Sequence, residues 1–274
     1  MKGPKGYLSF SMFKRIIDEI SEHKKTALVP FFRGESLLHP KCVEMLAYIK
    51  QKGIGPIQFT TNATLLTKDI ALSLIDLELD FISFSVDSID SESYGEIRRG
   101  GELKTVLNNI DFFCEQKQKM KMKNPEIQVS VVKTKNTSGD IDNFVSYWQQ
   151  RVNRVRVYEE HSQNGNFGSL EQESIDVERK ACFKPFRDMV IYWNGSVAIC
   201  NHDWDRENQL GNIEENSIEE IWNSNAYKII RDAHLGNGKL ETLCENCDHW
   251  KSFYNEDNLM GGLYFNPDEA ADAK

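Results

Sequence analysis

Helical and β-rich segments alternate regularly from the N-terminus to about residue 160, and this alternation limits the fold more strongly than any other property of the sequence. Apolar residues recur at helical spacing over residues 10–20 and 103–114. Five short β-rich runs lie between such helices: ALVPFF, PIQFTT, FISFSV, IQVSVV and RVRVY. Apolar runs of this kind fit strands that are covered on both faces. The sequence therefore predicts an α/β fold with a parallel sheet wrapped by helices.

Polar or glycine-bearing residues follow each predicted strand. They are Gly34 and Glu35, Thr61 and Asn62, Ser85 and Asp87, Lys133 and Thr134, and Glu159 and Glu160. In barrel-like α/β folds the active site collects at the carboxyl ends of the strands. We expect the functional residues of this part of the chain at that edge.

The first predicted element is a helix, although a parallel unit normally begins with a strand. Without a preceding strand, the run ALVPFF is expected to have an unpaired edge. The predicted barrel is thus one strand short.

Charge and hydropathy exclude several classes of protein. The 274 residues carry a net charge of -9, and the pI is near 5.3. This balance argues against a nucleic-acid partner or an anionic membrane surface, because both require clustered Lys and Arg. No apolar stretch approaches the roughly 20 residues that span a bilayer, and the N-terminus has no hydrophobic signal region. We expect a cytoplasmic protein, whose cysteines are thiols or metal ligands rather than disulfides.

A polar stretch rich in Gly, Asn and Ser separates a second module from the first. The predicted division is a barrel domain over 1–160, a linker over 161–180, a small α+β domain over 181–260 and a frayed tail over 261–274.

The second module is predicted to begin with a β-hairpin. Asn194-Gly195 between two apolar runs is a strong signal for a two-residue turn, which would place Cys200 opposite Met189. Ser217 and Glu220 fit the capping-box pattern, so one helix is expected after them, ending near Gly236.

Four of the six cysteines fall in this module: Cys182, Cys200, Cys244 and Cys247. A CxxC pair can turn both sulfurs toward one metal centre, and four thiolates suit zinc or an iron-sulfur cluster equally well by ligand type. Cys42 and Cys114 instead lie on apolar helix faces. Buried cysteine often behaves as a small hydrophobe, so we assign these two residues to packing.

The spacing of the four cysteines resembles that of radical S-adenosylmethionine (SAM) proteins with a SPASM domain or its shortened twitch form. Cys182, Gly195 and Cys200 fit the opening pattern of that domain, and Cys244 with Cys247 fits the single closing CxxC of the twitch form. The resemblance implies one auxiliary [4Fe-4S] cluster bound by all four cysteines. Zinc on the same sulfurs is the alternative.

The N-terminal part resembles the partial (β/α)6 TIM-like barrel of the same superfamily, without its first strand. FFRGESLLHP resembles the GGEP motif, TTNATLL resembles TNGTLL with Ala63 in place of Gly, and SVDS resembles a cofactor-facing strand end. YGEIRRGG is a further family-like stretch. The resemblance assigns SAM binding to these residues: Gly34, Glu35, Asn62, Ser85 and Asp87.

The sequence departs from the family at the CxxxCxxC motif, which binds the cluster that cleaves SAM. These 274 residues contain no such triplet. The absence of the triplet and that of the first strand suggest a chain shortened at its N-terminus. Whether the chain is itself an enzyme is thus left open, and radical generation by these residues alone is not expected.

The resemblance also implies a reaction and partners. In the family, a 5'-deoxyadenosyl radical removes a hydrogen atom from a small molecule or a peptide, and an electron donor such as flavodoxin or ferredoxin supplies electrons. The family often has Asp at the position of Asn201, and Asp203 or Asp205 is the candidate to replace it as an acid or base beside the auxiliary cluster, with Asp203 the assigned residue. His202 and His249 are expected beside the ligands or at the surface. A non-catalytic iron-sulfur or zinc-stabilised protein that binds a partner or transfers electrons is the alternative function.

Overall fold

The computed structural model describes residues 5–23, 26–31, 33–160, 178–203, 208–254 and 262–267. Its helices are α1 Phe10–Ile20, α2 Cys42–Gln51, α3 Lys68–Asp76, α4 Ser91–Ile97, α5 Leu103–Lys119, α6 Ile141–Gln149, α7 Lys184–Arg187, α8 Ile218–Trp222, α9 Asn225–His234 and α10 Thr242–Glu245. Its strands are β1 Gln58–Thr61, β2 Phe81–Ser85, β3 Glu126–Lys133, β4 Arg154–Glu159, β5 Val190–Ile191, β6 Ser196–Ala198, β7 Gln209–Asn212 and β8 Leu263–Phe265. Short 3-10 turns cover Ser36–Leu38, Ser138–Asp140 and His249–Phe253.

Contacts divide the chain into two compact units. The described residues of 1–22 and 160–259 form one, here called the C-terminal unit, and those of 23–159 and 260–274 form the other, the sheet unit. Among the described residues, no helix has the length and apolar character needed to cross a membrane.

The sheet unit contains a five-stranded sheet in the order β1-β2-β3-β4-β8. The first four strands are parallel, and β8 pairs antiparallel with β4. The inner strand β2 is buried along nearly its whole length, because helices cover the sheet. Phe84 of β2 packs edge-on against Phe113 of α5, with ring centroids 5.5 Å apart. The predicted α/β fold class, a parallel sheet plus a small antiparallel sheet, is confirmed.

The run ALVPFF forms a strand less fully than predicted. Within its described residues, 27–31, it makes one parallel bridge, Leu28 to Ile57. Leu28 donates its N–H to Pro56 and accepts one from Gln58, each at 2.9 Å. Pro30 has no N–H to extend the ladder, and the run pairs only with the β1 side.

Helix α1 and strand β8 lie in different units from those to which the predicted domain boundaries assign them. Helix α1 was expected with the barrel, but Ile16 packs in the C-terminal unit against Val197, Ile213 and Ile221. The predicted tail includes β8, whose pairing with β4 supplies an edge to the sheet. Apolar packing places α1, and pairing with β4 places β8. Both contacts join residues far apart in the chain, so local sequence patterns do not predict them.

The C-terminal unit contains a three-stranded antiparallel sheet in the order β5-β6-β7. The predicted hairpin is present, but its register differs by one residue from that of a two-residue turn. Val190 pairs with Ala198, and Tyr192 donates its N–H to Ser196 at 2.9 Å, which leaves three residues in the loop. Gly195, at φ +80°, takes the left-handed position that three-residue hairpin loops place at their end.

Two helices occupy the segment where one was predicted. The capping box is present: Glu220 donates its N–H to the Ser217 hydroxyl at 3.1 Å, and the Glu220 carboxylate accepts the Ser217 N–H at 2.8 Å. Helix α8 ends at Trp222, and Ser224 then caps α9 by accepting the N–H of Tyr227. A second capping residue inside the segment thus breaks the helix, and Gly236 follows α9 at φ +85°.

Candidate functional site

The four cysteines of the C-terminal unit line one cavity. Cys182 precedes α7, Cys200 follows β6, Cys244 lies in α10, and Cys247 comes just after that helix. Elements that are up to 65 residues apart along the chain therefore present their thiols to a common space. Arg179 anchors one wall, because its guanidinium donates to the carbonyl of Cys247 at 3.0 Å.

Burial controls the chemistry of these thiols. It raises the pKa of Cys200 to about 12 and raises the pKa values of Cys182, Cys244 and Cys247 as well. The negative charge that the neighbouring thiols would carry adds to the rise in the pKa of Cys244. Lys184 and Arg179 line the same cavity, and their positive charges lower the pKa values of these thiols against the effect of burial. A metal centre at this position would hold all four sulfurs as thiolates.

Backbone N–H groups are directed at the sulfurs. His202 donates its N–H to Cys200 Sγ at 3.3 Å, and the backbone N–H groups of Lys184 and His249 lower the pKa values of Cys182 and Cys247. Such donors stabilise thiolate charge, as metal-bound cysteines require. The donor set therefore fits an iron-sulfur cluster.

By ligand type the four thiols fit a cluster, in which each thiolate binds a separate iron, and they also fit a zinc ion.

Three histidines also line the cavity. His202 and His249 pack against each other with ring centroids 4.5 Å apart, and both are buried rather than at the surface. His234 was not predicted. It shares the buried face of α9 with Tyr227 and Ile230, and this spacing of three and four residues was the signal that could have identified it.

Asp203 lies near Cys200 but is engaged in holding its own loop. It donates its N–H to the Cys200 carbonyl at 3.2 Å, and its carboxylate accepts the N–H of Asn208 at 3.3 Å. The residue is only 2% exposed. These contacts are those of a loop-capping aspartate, and a role as acid or base stays a prediction. Asp205 lies outside the described residues.

Glu35 organises the carboxyl end of β1 in the sheet unit. Its carboxylate accepts hydrogen bonds from the Leu37 N–H at 3.0 Å, the Thr61 hydroxyl at 2.6 Å and the Asn62 N–H at 2.7 Å. Gly34, just before it, has φ +79°. The predicted residues Gly34, Glu35 and Asn62 thus come together at the edge where the parallel strands end.

Ala63 stands where the resembling motif has glycine, and the chain still turns at this position. It has φ +59°, a left-handed conformation that costs glycine nothing and alanine roughly 1 kcal/mol. Asn109 supports the turn by donating from its side chain to the Ala63 carbonyl at 2.8 Å, and Asn62 accepts the Thr64 N–H at 3.0 Å.

Asp87 joins the strand end after β2 to the segment after α4. Its carboxylate accepts hydrogen bonds from Arg98 Nε at 2.8 Å and from the Val132 N–H at 3.1 Å. A second contact to Arg98, from Nη2, measures 2.5 Å. Ser85, the last residue of β2, is half-buried and lies beside Ser130 of β3 in the sheet register.

A cavity of about 580 Å³ opens at this edge. Asn62, Thr64, Arg98 and Arg99 are among the residues that line it. Its volume lies within the range of small-molecule sites, about 300–1,000 Å³.

Two parts of the chain match known protein families. Residues 1–122 match the radical SAM superfamily, and residues 182–248 match SPASM, an iron-sulfur cluster-binding domain. The tungsten-containing aldehyde ferredoxin oxidoreductase cofactor-modifying protein of Pyrococcus furiosus is 23% identical over 88% of this chain and 79% of its own length. The GTP 3',8-cyclase of Lactiplantibacillus plantarum is 25% identical over 74% of this chain, and the match spans 60% of that cyclase.

Solved structures share the fold. SuiB of Streptococcus suis bound to S-adenosylmethionine aligns with a TM-score of 0.66 at 14% identity, over 92% of this chain and 68% of its own. Native anSMEcpe with bound AdoMet aligns at 0.63 and 15% identity, over 99% and 88%. BtrN in complex with AdoMet and 2-DOIA aligns at 0.55 and 16% identity, over 90% and 82%.

The chain thus combines a partial TIM-type parallel sheet of the α/β class with a small cysteine-lined antiparallel unit that matches an iron-sulfur cluster-binding domain. The chain belongs to the radical SAM superfamily and carries a SPASM domain, which implies an auxiliary iron-sulfur cluster.

Proposed function

We propose that the C-terminal unit holds one auxiliary [4Fe-4S] cluster on Cys182, Cys200, Cys244 and Cys247. The observation that carries the proposal is the convergence of these four thiols on one cavity. All four fall within the residues that match the SPASM domain.

The proposed cluster supplies one-electron transfer when it is bound. Four protein thiolates leave no iron open to a substrate, so the site favours electron transfer over substrate binding. The protein residues exclude water by burying the thiols, and their backbone N–H groups hold the negative charge of the thiolates.

We further propose that the carboxyl edge of the sheet unit binds SAM through Gly34, Glu35, Asn62, Ser85 and Asp87. The hydrogen bonds of Glu35 and Asp87 support this proposal, because they fix the strand-end backbone in place. The cavity beside Asn62 is the candidate site for part of a substrate.

The proposed substrate class is a small molecule or a peptide, oxidised by hydrogen abstraction, with a flavodoxin- or ferredoxin-type electron donor. The structural relatives include complexes with 2-DOIA and with an 18Cys-type peptide. Hydrogen abstraction requires a CxxxCxxC motif, and these 274 residues contain none. For these residues the proposal therefore concerns the auxiliary cluster and the cofactor-binding edge.

Anaerobic reconstitution with iron and sulfide tests the cluster. We expect about four irons and four sulfides per chain and broad absorbance near roughly 400 nm. Cys200→Ala and Cys244→Ala should each lose at least half of that iron, because each removes a proposed ligand.

Cys42→Ala and Cys114→Ala are the matched controls. Both cysteines lie in helices of the sheet unit, and burial raises the pKa of each to about 12, as it does for Cys200. The two control variants should bind iron like the parent chain. A colourless protein that binds one zinc, or equal iron loss in all four variants, would refute the proposal.

A further inference from the structure

His234 lies at the wall of the four-cysteine cavity and is the last residue of α9. It is only 8% exposed, and it belongs to the same buried helix face as Tyr227 and Ile230. The helix therefore fixes the imidazole beside the thiols. The two ring nitrogens of His234, Nδ1 and Nε2, differ in what they contact.

One ring nitrogen accepts a hydrogen bond from a proposed cluster ligand. The backbone N–H of Cys182 donates to His234 Nδ1 at 3.4 Å. Because Nδ1 accepts this hydrogen bond it carries no proton, so the ring is a neutral imidazole. A neutral imidazole that accepts at Nδ1 carries its proton on Nε2.

The other ring nitrogen is a buried donor that lacks an acceptor. His234 Nε2 is shielded from solvent and has no hydrogen-bond partner among the described residues. Buried donors are nearly always satisfied in folded proteins, since an unmade hydrogen bond costs free energy. The side chain lines the cavity proposed for the cluster, whose sulfur atoms are hydrogen-bond acceptors.

His202 and His249 do not offer the same arrangement. Their rings pack against each other, and Cys200 Sγ receives the backbone N–H of His202 rather than its ring. The Nδ1 atom of His234 receives the backbone N–H of a proposed ligand. Its tautomer is therefore set by the protein.

We propose that His234 Nε2–H donates a hydrogen bond to a sulfur atom of the auxiliary cluster and thereby raises the reduction potential of that cluster. This inference rests on the cluster proposed above. A hydrogen bond to cluster sulfur stabilises the reduced, more negative state, and such bonds are among the factors that set cluster potentials. The backbone hydrogen bond from Cys182 orients the ring, as outer residues commonly do around metal ligands.

Redox titration of reconstituted variants tests the inference. His234→Phe keeps a planar, buried ring but removes the donor, whereas His234→Gln keeps an amide N–H. In His234→Phe we expect an unchanged iron and sulfide content and a lower midpoint potential. The reduced-to-oxidised ratio at a fixed solution potential should fall about tenfold, which is about 59 mV for one electron. His234→Gln should recover much of this shift.

His39→Phe is the matched control. His39 lies in the sheet unit and accepts the Lys41 N–H through Nδ1 at 3.0 Å, so the variant also loses a histidine with an engaged Nδ1. Its midpoint potential should equal that of the parent chain. A His234→Phe protein with four irons and the parent potential would overturn the inference while leaving the proposed cluster intact.

Pulsed EPR of the parent protein gives a readout that needs no variant. With histidine labelled with ¹⁵N in the imidazole ring only, the reduced cluster should show coupling to one imidazole nitrogen. The absence of this coupling in a protein with a full cluster would overturn the inference, even if His234→Phe does not fold. A parent chain that binds no cluster would instead refute the proposed function, and the inference with it.

Discussion

The carboxylate of Asp87 shows how one residue secures the functional edge of the sheet unit. Asp87 is a buried residue whose backbone has φ +68°. Its carboxylate accepts hydrogen bonds from Arg98 and from the Val132 N–H. Asn tolerates this left-handed backbone better than other non-glycine residues, and it has nearly the same shape as Asp. Asp87→Asn is therefore a test of the charge rather than of the backbone.

We expect Asp87→Asn to lower the free energy of unfolding of the sheet unit by about 1–3 kcal/mol, because Arg98 loses its charged acceptor. Urea denaturation followed by hydrogen exchange of sheet-unit amides measures this loss. Arg99→Ala is the matched control, since Arg99 is the exposed neighbour of Arg98, and its effect should stay within about 0.5 kcal/mol. Equal effects of the two substitutions would show that the ion pair contributes nothing.

The type and position of the candidate site residues could be predicted from the sequence, but their hydrogen-bond partners could not. The motif-like strand ends identified Glu35 and Asp87, and the structure places both at the expected edge. Their hydrogen bonds to Thr61 and Arg98 depend on how separate segments approach one another, which no local pattern contains. His234 was missed for a related reason, since a histidine on an apolar helix face is usually part of the core.

Helix α1 shows the same limit at the scale of an element. Its apolar spacing and the Ser9 cap, which accepts the Met12 N–H at 3.2 Å, predict a helix correctly. The partner of its buried face could not be predicted, because an amphipathic stripe specifies only that something apolar covers it. The hairpin shows the same limit. Asn-Gly correctly predicted a turn, but the register of the strands follows from a three-residue loop rather than the predicted two-residue turn.

We expect Ile16→Ala to destabilise the C-terminal unit selectively, by about 2–5 kcal/mol. Ile16 is 6% exposed and packs against Val197, Ile213 and Ile221 of that unit, so the substitution leaves a cavity there. Hydrogen exchange measured amide by amide in urea should show faster exchange in β6 and α8 than in the parent chain, with β2 and β3 unchanged.

Ile110→Ala is the matched control, since Ile110 is a fully buried isoleucine of α5 in the sheet unit. It should give the opposite pattern, with β2 and β3 affected and β6 unaffected. If Ile16→Ala exposes the amides of β2 and β3 instead, α1 belongs with the sheet unit in solution.

At the scale of the whole molecule, two compact units with different means of stabilisation share one chain. The sheet unit has an extensive core that includes Phe59, Phe84 and Trp148, all fully buried. Around the cysteine cavity, the described buried residues form a small cluster of Ile199, Ile230 and Cys244. We therefore expect the region around the cavity to be stabilised by a bound group, as small metal-containing domains are, although Ile16, Val197 and Ile221 form a separate core in the same unit.

Removal of the cluster should therefore destabilise one unit and spare the other. A ligand that binds the folded state stabilises it by mass action, so oxidative release of iron followed by chelation should lower the midpoint of thermal unfolding of the C-terminal unit. A loss of about 1–2 kcal/mol corresponds to roughly 4–16 °C for a unit of this size. Calorimetry, with β3 and β6 amides assigned by hydrogen exchange, separates the two transitions. The Cys200→Ala protein, given the same treatment, should show at most half of this change, because it has lost at least half of its iron beforehand. Equal shifts of both transitions would mean that the units unfold together, and no shift would mean that the four thiols do not bind a group that stabilises the fold.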